Sequence, residues 1–153
     1  MHTENTILIH GDRQRIYQLA ADIQDWAKIL PHYRYVVIEE QSERHKIARM
    51  GAKRDWFPVK WRARQELLPE EYRILFQHIG GITKGMSVEW RLVPEGDAVR
   101  VTISHTLTYP VPLLGPLFAE WIVGRLFVHN IAGKTLRCIK AMVEETGPHR
   151  GAS

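Results

Sequence analysis

Apolar residues along this chain change their spacing twice. Between Glu4 and His10, Ile7 and Ile9 alternate with polar neighbours, the two-residue period of a strand. Gly11 then turns the chain and Asp12 offers an N-cap to a helix in which Ile16, Leu19, Ala20 and Ile23 recur at helical spacing. Asp25 is placed to cap a second short helix carrying Trp26, Ile29 and Leu30 up to Pro31. From Tyr33 onward the period returns to two. Tyr33, Tyr35 and Val37 make one set, Ile47 with Arg49 the next, and Phe57, Val59, Trp61 and Ala63 a third. Beyond the turn at Pro69-Glu70-Glu71 come Ile74, Phe76 and His78. Gly80-Gly81 reads as a hairpin turn into Met86, Val88, Trp90 and Leu92, and Pro94 to Asp97 as another into Val101, Ile103, His105 and Leu107. Connections this short predict antiparallel neighbours.

After Pro110-Val111-Pro112 the spacing becomes helical again, with Leu117, Trp121, Val128, Thr135, Ile139 and Met142 on one stripe, so a long helix is expected over roughly 113–145. Gly124 and Gly133 interrupt it, each at about 1 kcal/mol of intrinsic helix stability. The order strand, two helices, six strands and long helix describes an α+β protein: a seven-stranded curved antiparallel sheet with two short helices after strand one and one terminal helix to cover its apolar face. A single helix cannot fill the concavity of such a sheet. An apolar cavity between sheet and helix follows.

Length fits this picture. The chain has 153 residues, 44% hydrophobic and 25% charged, the proportions of a globular chain with one core, expected over 1–145 with a polar tail over 146–153. The net charge of +4 leans toward acidic partners. A lone cysteine, Cys138, excludes an internal disulfide and suits a reducing cytoplasm. No apolar run reaches the length of a membrane span, so a cytoplasmic location is expected. No metal or other cofactor is expected either: the eight histidines lack ligand spacing, and no phosphate-binding glycine loop occurs. Nucleic-acid binding would need a recognition element that the basic residues here lack.

Three stretches resemble the helix-grip superfamily of START domains, Bet v 1-like proteins and bacterial polyketide cyclase/dehydrases. They are Ile23-Gln24-Asp25-Trp26-Ala27-Lys28-Ile29-Leu30-Pro31-His32-Tyr33, Tyr109-Pro110-Val111-Pro112-Leu113-Leu114-Gly115, and Leu136-Arg137-Cys138-Ile139-Lys140. The resemblance spans Asn5 to Glu144 and is nearest in length and aromatic placement to single-domain aromatase/cyclases. Ala27 stands where the family carries a proline after Trp. An ungapped alignment puts Gln65 where those enzymes have a pocket arginine, with Arg62 and Arg64 beside it on the other face. The resemblance implies a helix-grip fold and a hydrophobic ligand: a polyketide, an aromatic or an isoprenoid.

Polar side chains within the inward sets carry any chemistry. His105 and His78 are candidate acid/base groups, Arg49 and Arg125 candidate cations for an enolate, and Tyr33 and Tyr35 candidate donors. Tyr35, His105 and Arg49 are the expected catalytic set. Trp26, Tyr33, Trp61, Phe76, Trp90 and Trp121 offer flat walls for a ligand, with Met86, Val128, Gln65, His78 and Arg125 completing the contact set. The bland alternative for each is a core side chain with its polar atom satisfied. Lys53, Arg54, Lys60, Arg62 and Arg64 form a basic cluster able to meet an acidic acyl carrier protein, or simply a solvated outer face. Two functions stay open: polyketide cyclisation with dehydration, or non-catalytic carriage of a lipid or quinone.

Overall fold

The computed structural model describes residues 2–54, 57–81, 83–107 and 130–145. Strand β1 (His2–Ile9) is followed by α1 (Arg13–Ala21), a 3-10 turn (Ile23–Asp25) and α2 (Trp26–Ile29). Six further strands follow: β2 (Tyr33–Gln41), β3 (His45–Arg54), β4 (Phe57–Leu68), β5 (Arg73–Gly81), β6 (Met86–Glu95) and β7 (Ala98–Leu107). Residues 130–132 make a π-type turn into α3 (Gly133–Glu145). The rest of the expected terminal helix, with Trp121, Arg125 and Val128, and the tail over 146–153 lie outside the described residues.

All seven strands form one sheet in the order β1-β7-β6-β5-β4-β3-β2, every pair antiparallel. Strands β2 through β7 lie side by side in chain order, and β1 closes on β7 because the two small helices carry the chain back across the sheet. This is the helix-grip architecture. Asp12 caps α1 as its position predicts, its carboxylate accepting from the Arg15 amide at 3.0 Å. Asp25 does not cap α2; it ends the 3-10 turn with helical dihedrals in place of the extended ones of a capping residue, and its side chain makes no capping hydrogen bond. Gly80-Gly81 is not the hairpin turn. Strand β5 runs through Gly81, whose positive φ of 91° accompanies a close approach to β4: a Cβ there would stand 2.8 Å from the Lys60 carbonyl oxygen. The turn itself falls at residues 83–85, where Gly85 supplies a φ of 99°.

The inward face of the sheet carries Met50, Trp61, Ile74, Trp90, Leu92 and Ile103, all buried, and α1 and α3 bring Ile16, Leu136, Ile139 and Val143 against it. Each such side chain stabilises the fold by about 1.5–3 kcal/mol relative to exposure. On β4 to β7 the inward sets are those the two-residue period marks. On β2 and β3 they are not. A bulge between Tyr33 and Tyr35 puts Tyr33 opposite Ala52 but Tyr35 opposite Gly51, so the strand changes face within two residues. Tyr33 is inward and buried, while Tyr35 lies outward with its ring over Gly51. Val36 and Ile38 then take the inward positions. On β3 the inward residues are Lys46, Ala48, Met50 and Ala52, which leaves Ile47 and Arg49 on the outer face.

Candidate functional site

Between the sheet and the helical segment at 130–135 lies a cavity with an empty volume of about 410 Å³, its open mouth included. Strands β5 to β7 give it Phe76, His78, Val88, Trp90, Ile103 and His105. Met50 and Trp61 come from β3 and β4, and Trp26 and Tyr33 from the α2–β2 passage. Ile131, Ala132 and Thr135 close it from the helix side.

The aromatic wall is a connected set. Trp26 anchors it by donating its indole N–H to the Leu19 carbonyl at 3.0 Å, which fixes the ring against α1. From there ring centroids step to Tyr33 at 5.0 Å and to Phe76 and Trp90 at 6.1 Å each. Tyr33 meets Trp61 edge-on at 6.0 Å, and Trp61 stacks on His78 with planes 5° apart and centroids 5.8 Å apart. Rings meeting edge-on and in offset stacks hold each other in orientation and present flat faces to the space between them.

Three buried histidines surround this wall. His78 shares a 2.7 Å hydrogen bond between Nδ1 and the hydroxyl of Thr83, which is itself buried. Burial lowers the His78 pKa to about 3, with the neighbouring His105 acting in the same direction. Burial likewise lowers His105 to about 4, with a smaller push from His2. Each is therefore a neutral imidazole at neutral pH. His32 sits behind the helix side of the cavity with Nε2 2.8 Å from the Thr135 hydroxyl. Thr135 spends its only proton on the Ile131 carbonyl at 2.8 Å, so His32 must donate, which fixes its tautomer with the proton on Nε2. Burial, followed by the nearby Lys134 charge, lowers the His32 pKa to about 4. Burial alone pushes the Tyr33 phenol far above its usual value, so it stays a protonated donor.

The cavity thus gathers seven sequence candidates: Trp26, Tyr33, Trp61, Phe76, His78, Trp90 and His105. Tyr35 and Arg49 are corrected. The β2 bulge puts Tyr35 on the outer face, and Arg49, opposite Val37 on that face, pairs with Glu39 at 3.0 Å while remaining half exposed. Met86 is inward and fully buried but packs in the core without bordering the cavity. Gln65 is buried beside Phe76 on the neighbouring strand. Its Nε2 donates to the Ala21 carbonyl at 3.0 Å, its Oε1 has no hydrogen-bond partner among the described residues, and it is not part of the cavity wall. Across the β3–β4 ladder from it, the buried Lys46 ammonium donates to Gln24 Oε1 at 3.0 Å, and burial lowers its pKa.

Sequence reasoning missed Met50, Val88, Ile103, Ala132, Thr135 and His32. Val88 and Ile103 belong to inward sets already marked, and Thr135 to the helix stripe, so their signal was present without their depth. Met50 was hidden by the assignment of Ile47 and Arg49 to the inner face. His32 precedes a strand and carries no periodic signal at all. Among the described residues no cluster of His, Cys, Asp or Glu is arranged to hold a metal ion, and no helix is long and apolar enough to cross a membrane.

Comparison with known proteins places this geometry. Residues 9–132 match the family model for polyketide cyclase/dehydrase and lipid transport. No curated protein sequence gives a significant match. Among solved structures, the Zhui aromatase/cyclase from a Streptomyces species superposes with a TM-score of 0.80 at 19% identity, over 95% of this chain and 94% of its own. A protein from Thermus thermophilus gives 0.80 at 21%, over 96% and 99%. A START superfamily protein from Mycobacterium smegmatis gives 0.72 at 14%, over 95% and 99%. At these identities the likeness is one of fold.

Proposed function

The chain belongs to the polyketide cyclase/dehydrase and lipid transport family, and from that premise we propose that it binds a flat hydrophobic molecule, a polyketide or other aromatic, and promotes its cyclisation with loss of water. The observation that carries this reading is the aromatic cavity with two buried, neutral imidazoles in its wall, His78 and His105. A neutral imidazole both donates and accepts, so it can hold a carbonyl oxygen and receive a proton from an activated methylene. Burial makes the resulting imidazolium a strong acid, suited to protonating a departing hydroxyl. Tyr33, held protonated, is the donor available to an enolate oxygen. Confining a flexible chain between Trp26, Trp61 and Trp90 removes conformational freedom from the barrier.

One observation favours a second reading, carriage of a quinone or other lipid without catalysis. Among the described residues of the cavity wall none carries a charge at neutral pH, and uncharged apolar walls suffice for a carrier. An acyl carrier protein as donor of a tethered substrate belongs to the first reading only, and the basic residues of the outer face are its support.

His105→Ala separates the two. Binding is followed by quenching of tryptophan fluorescence with a planar aromatic ketone, and turnover by dehydration of a model poly-β-ketone thioester. Retained binding with a loss of roughly a hundredfold or more in rate supports the enzyme. No turnover in the parent protein, with a quinone or fatty acid retained through native purification, supports the carrier. Absence of any apolar binding defeats both.

A further inference from the structure

A second concave site lies outside the cavity, between the α2–β2 turn, the end of β3 and one face of α3. Pro31, His32, Lys53, Lys134, Arg137 and Cys138 line it, with Ala141 at its end. Lys134, Arg137, Cys138 and Ala141 fall at i, i+3, i+4 and i+7, which puts them on a single face of α3. Two hydrogen bonds hold the walls together. The Lys53 amide donates to the His32 carbonyl at 2.9 Å, tying β3 to the turn, and the His32 ring donates to Thr135, tying the turn to α3.

The charges here have one sign. Lys53, Lys134 and Arg137 all line the groove, and among the described residues no acidic side chain does. Of the two acidic residues that end α3, Glu144 is committed elsewhere, taking the Lys140 ammonium at 2.8 Å and the His10 amide at 2.9 Å, and Glu145 is exposed one turn beyond Ala141, outside the groove lining. The field of Lys134 and Arg137 registers on His32, whose protonation both disfavour.

We infer that this groove is an anion site for a phosphate group, whose oxygens the Arg137 guanidinium and the Lys53 and Lys134 ammonium groups would hold. Three cations around a concavity match a doubly charged tetrahedral anion better than a single carboxylate, and a guanidinium fork fits two phosphate oxygens at once. The site is separate from whatever fills the interior and stands or falls independently of it.

Cys138 is the only thiol of the chain and lines the groove, so its reaction with a small neutral reagent, methyl methanethiosulfonate, reports occupancy. At constant ionic strength, inorganic phosphate at several times its dissociation constant is expected to slow that reaction saturably, by roughly fivefold. The Lys134→Gln, Arg137→Gln double variant should lose the protection, and Lys53→Gln should weaken it. Lys60→Gln, exposed on β4 and outside the groove lining, should leave it intact. Glycerol 3-phosphate and phosphatidylglycerol vesicles present the same chemistry from soluble and lipid sources: protection by the first assigns a soluble ester, by the second a head group, and by neither overturns the proposal. Protection equalled by chloride, or surviving in the double variant, overturns it as well.

Discussion

The ring of Tyr35 lies over Gly51, its partner across the β2–β3 ladder, so closely that a Cβ at position 51 would stand 2.3 Å from Cε2 of the ring. The glycine is what lets the ring lie flat on the outer face. Gly51→Ala should therefore displace the ring and cost about 1–2 kcal/mol, read as a lower urea midpoint at unchanged slope. Tyr35→Ala in the same chain should recover most of that loss. Additive effects of the two changes would show that the ring does not sit there.

The same placement bears on chemistry. Tyr35→Phe and Arg49→Gln change only the outer face, so both should keep ligand affinity and any turnover within about twofold of the parent protein. His105→Ala should not. A large loss of affinity in Tyr35→Phe would return that hydroxyl to the cavity and contradict the bulge.

Acid sensitivity follows from the buried histidines. His32, His78 and His105 have folded-state pKa values of about 4, 3 and 4, below the ordinary 6.5 of the unfolded chain. Between these limits the unfolded state takes up protons that the folded state refuses, so stability is full above about pH 6.5 and declines as pH falls toward 4. Each imidazole contributes up to about 1.4 kcal/mol per pH unit in that window. Thermal unfolding followed between pH 7 and 5 should show a steep drop in Tm, and His78→Asn, which keeps an amide beside Thr83, should make it shallower. A flat profile would mean that the rings are solvated.

Close approach of the first turn to the last helix gives another test. A Cβ at Gly11 would stand 2.2 Å from Cγ1 of Val143, which is buried in the core. Gly11→Ala should lower stability by about 1–3 kcal/mol, and Val143→Ala, destabilising alone, should cost less in the Gly11→Ala background. A double-mutant cycle with no coupling would rule out the contact.

Lys46 offers the opposite sign. Its buried ammonium donates to Gln24 and is attracted by Asp22 and Asp25, but desolvation outweighs that attraction. Lys46→Met preserves the length of the stem and removes the charge, so stability should be unchanged or higher by about 1 kcal/mol in urea unfolding. A loss of several kcal/mol would show that the ammonium satisfies groups such as Gln65 Oε1 in solution.

By itself the sequence determined the strand count, the antiparallel order, the inward faces of β4 to β7 and the cavity that a single covering helix leaves open. These follow from periodicity and turn residues, which are local properties. His78 and His105 were legible for the same reason: each falls in step with apolar neighbours on a regular strand. Tertiary structure alone decided the sidedness of β2 and β3. A one-residue bulge at Tyr33–Tyr35 reverses the side chains from Tyr35 to Ile38 before the register shifts again ahead of Glu40, and nothing in the alternation of Tyr33, Tyr35 and Val37 distinguishes a regular strand from a bulged one. The ladder between Tyr35 and Gly51 resolved it, because only a glycine opposite leaves room for the ring to turn outward. His32 and its basic groove were beyond sequence reasoning for a related cause. Lys53, Lys134 and Arg137 come from segments 81 or more positions apart, and only the packing of α3 on the end of β3 brings their charges to one place.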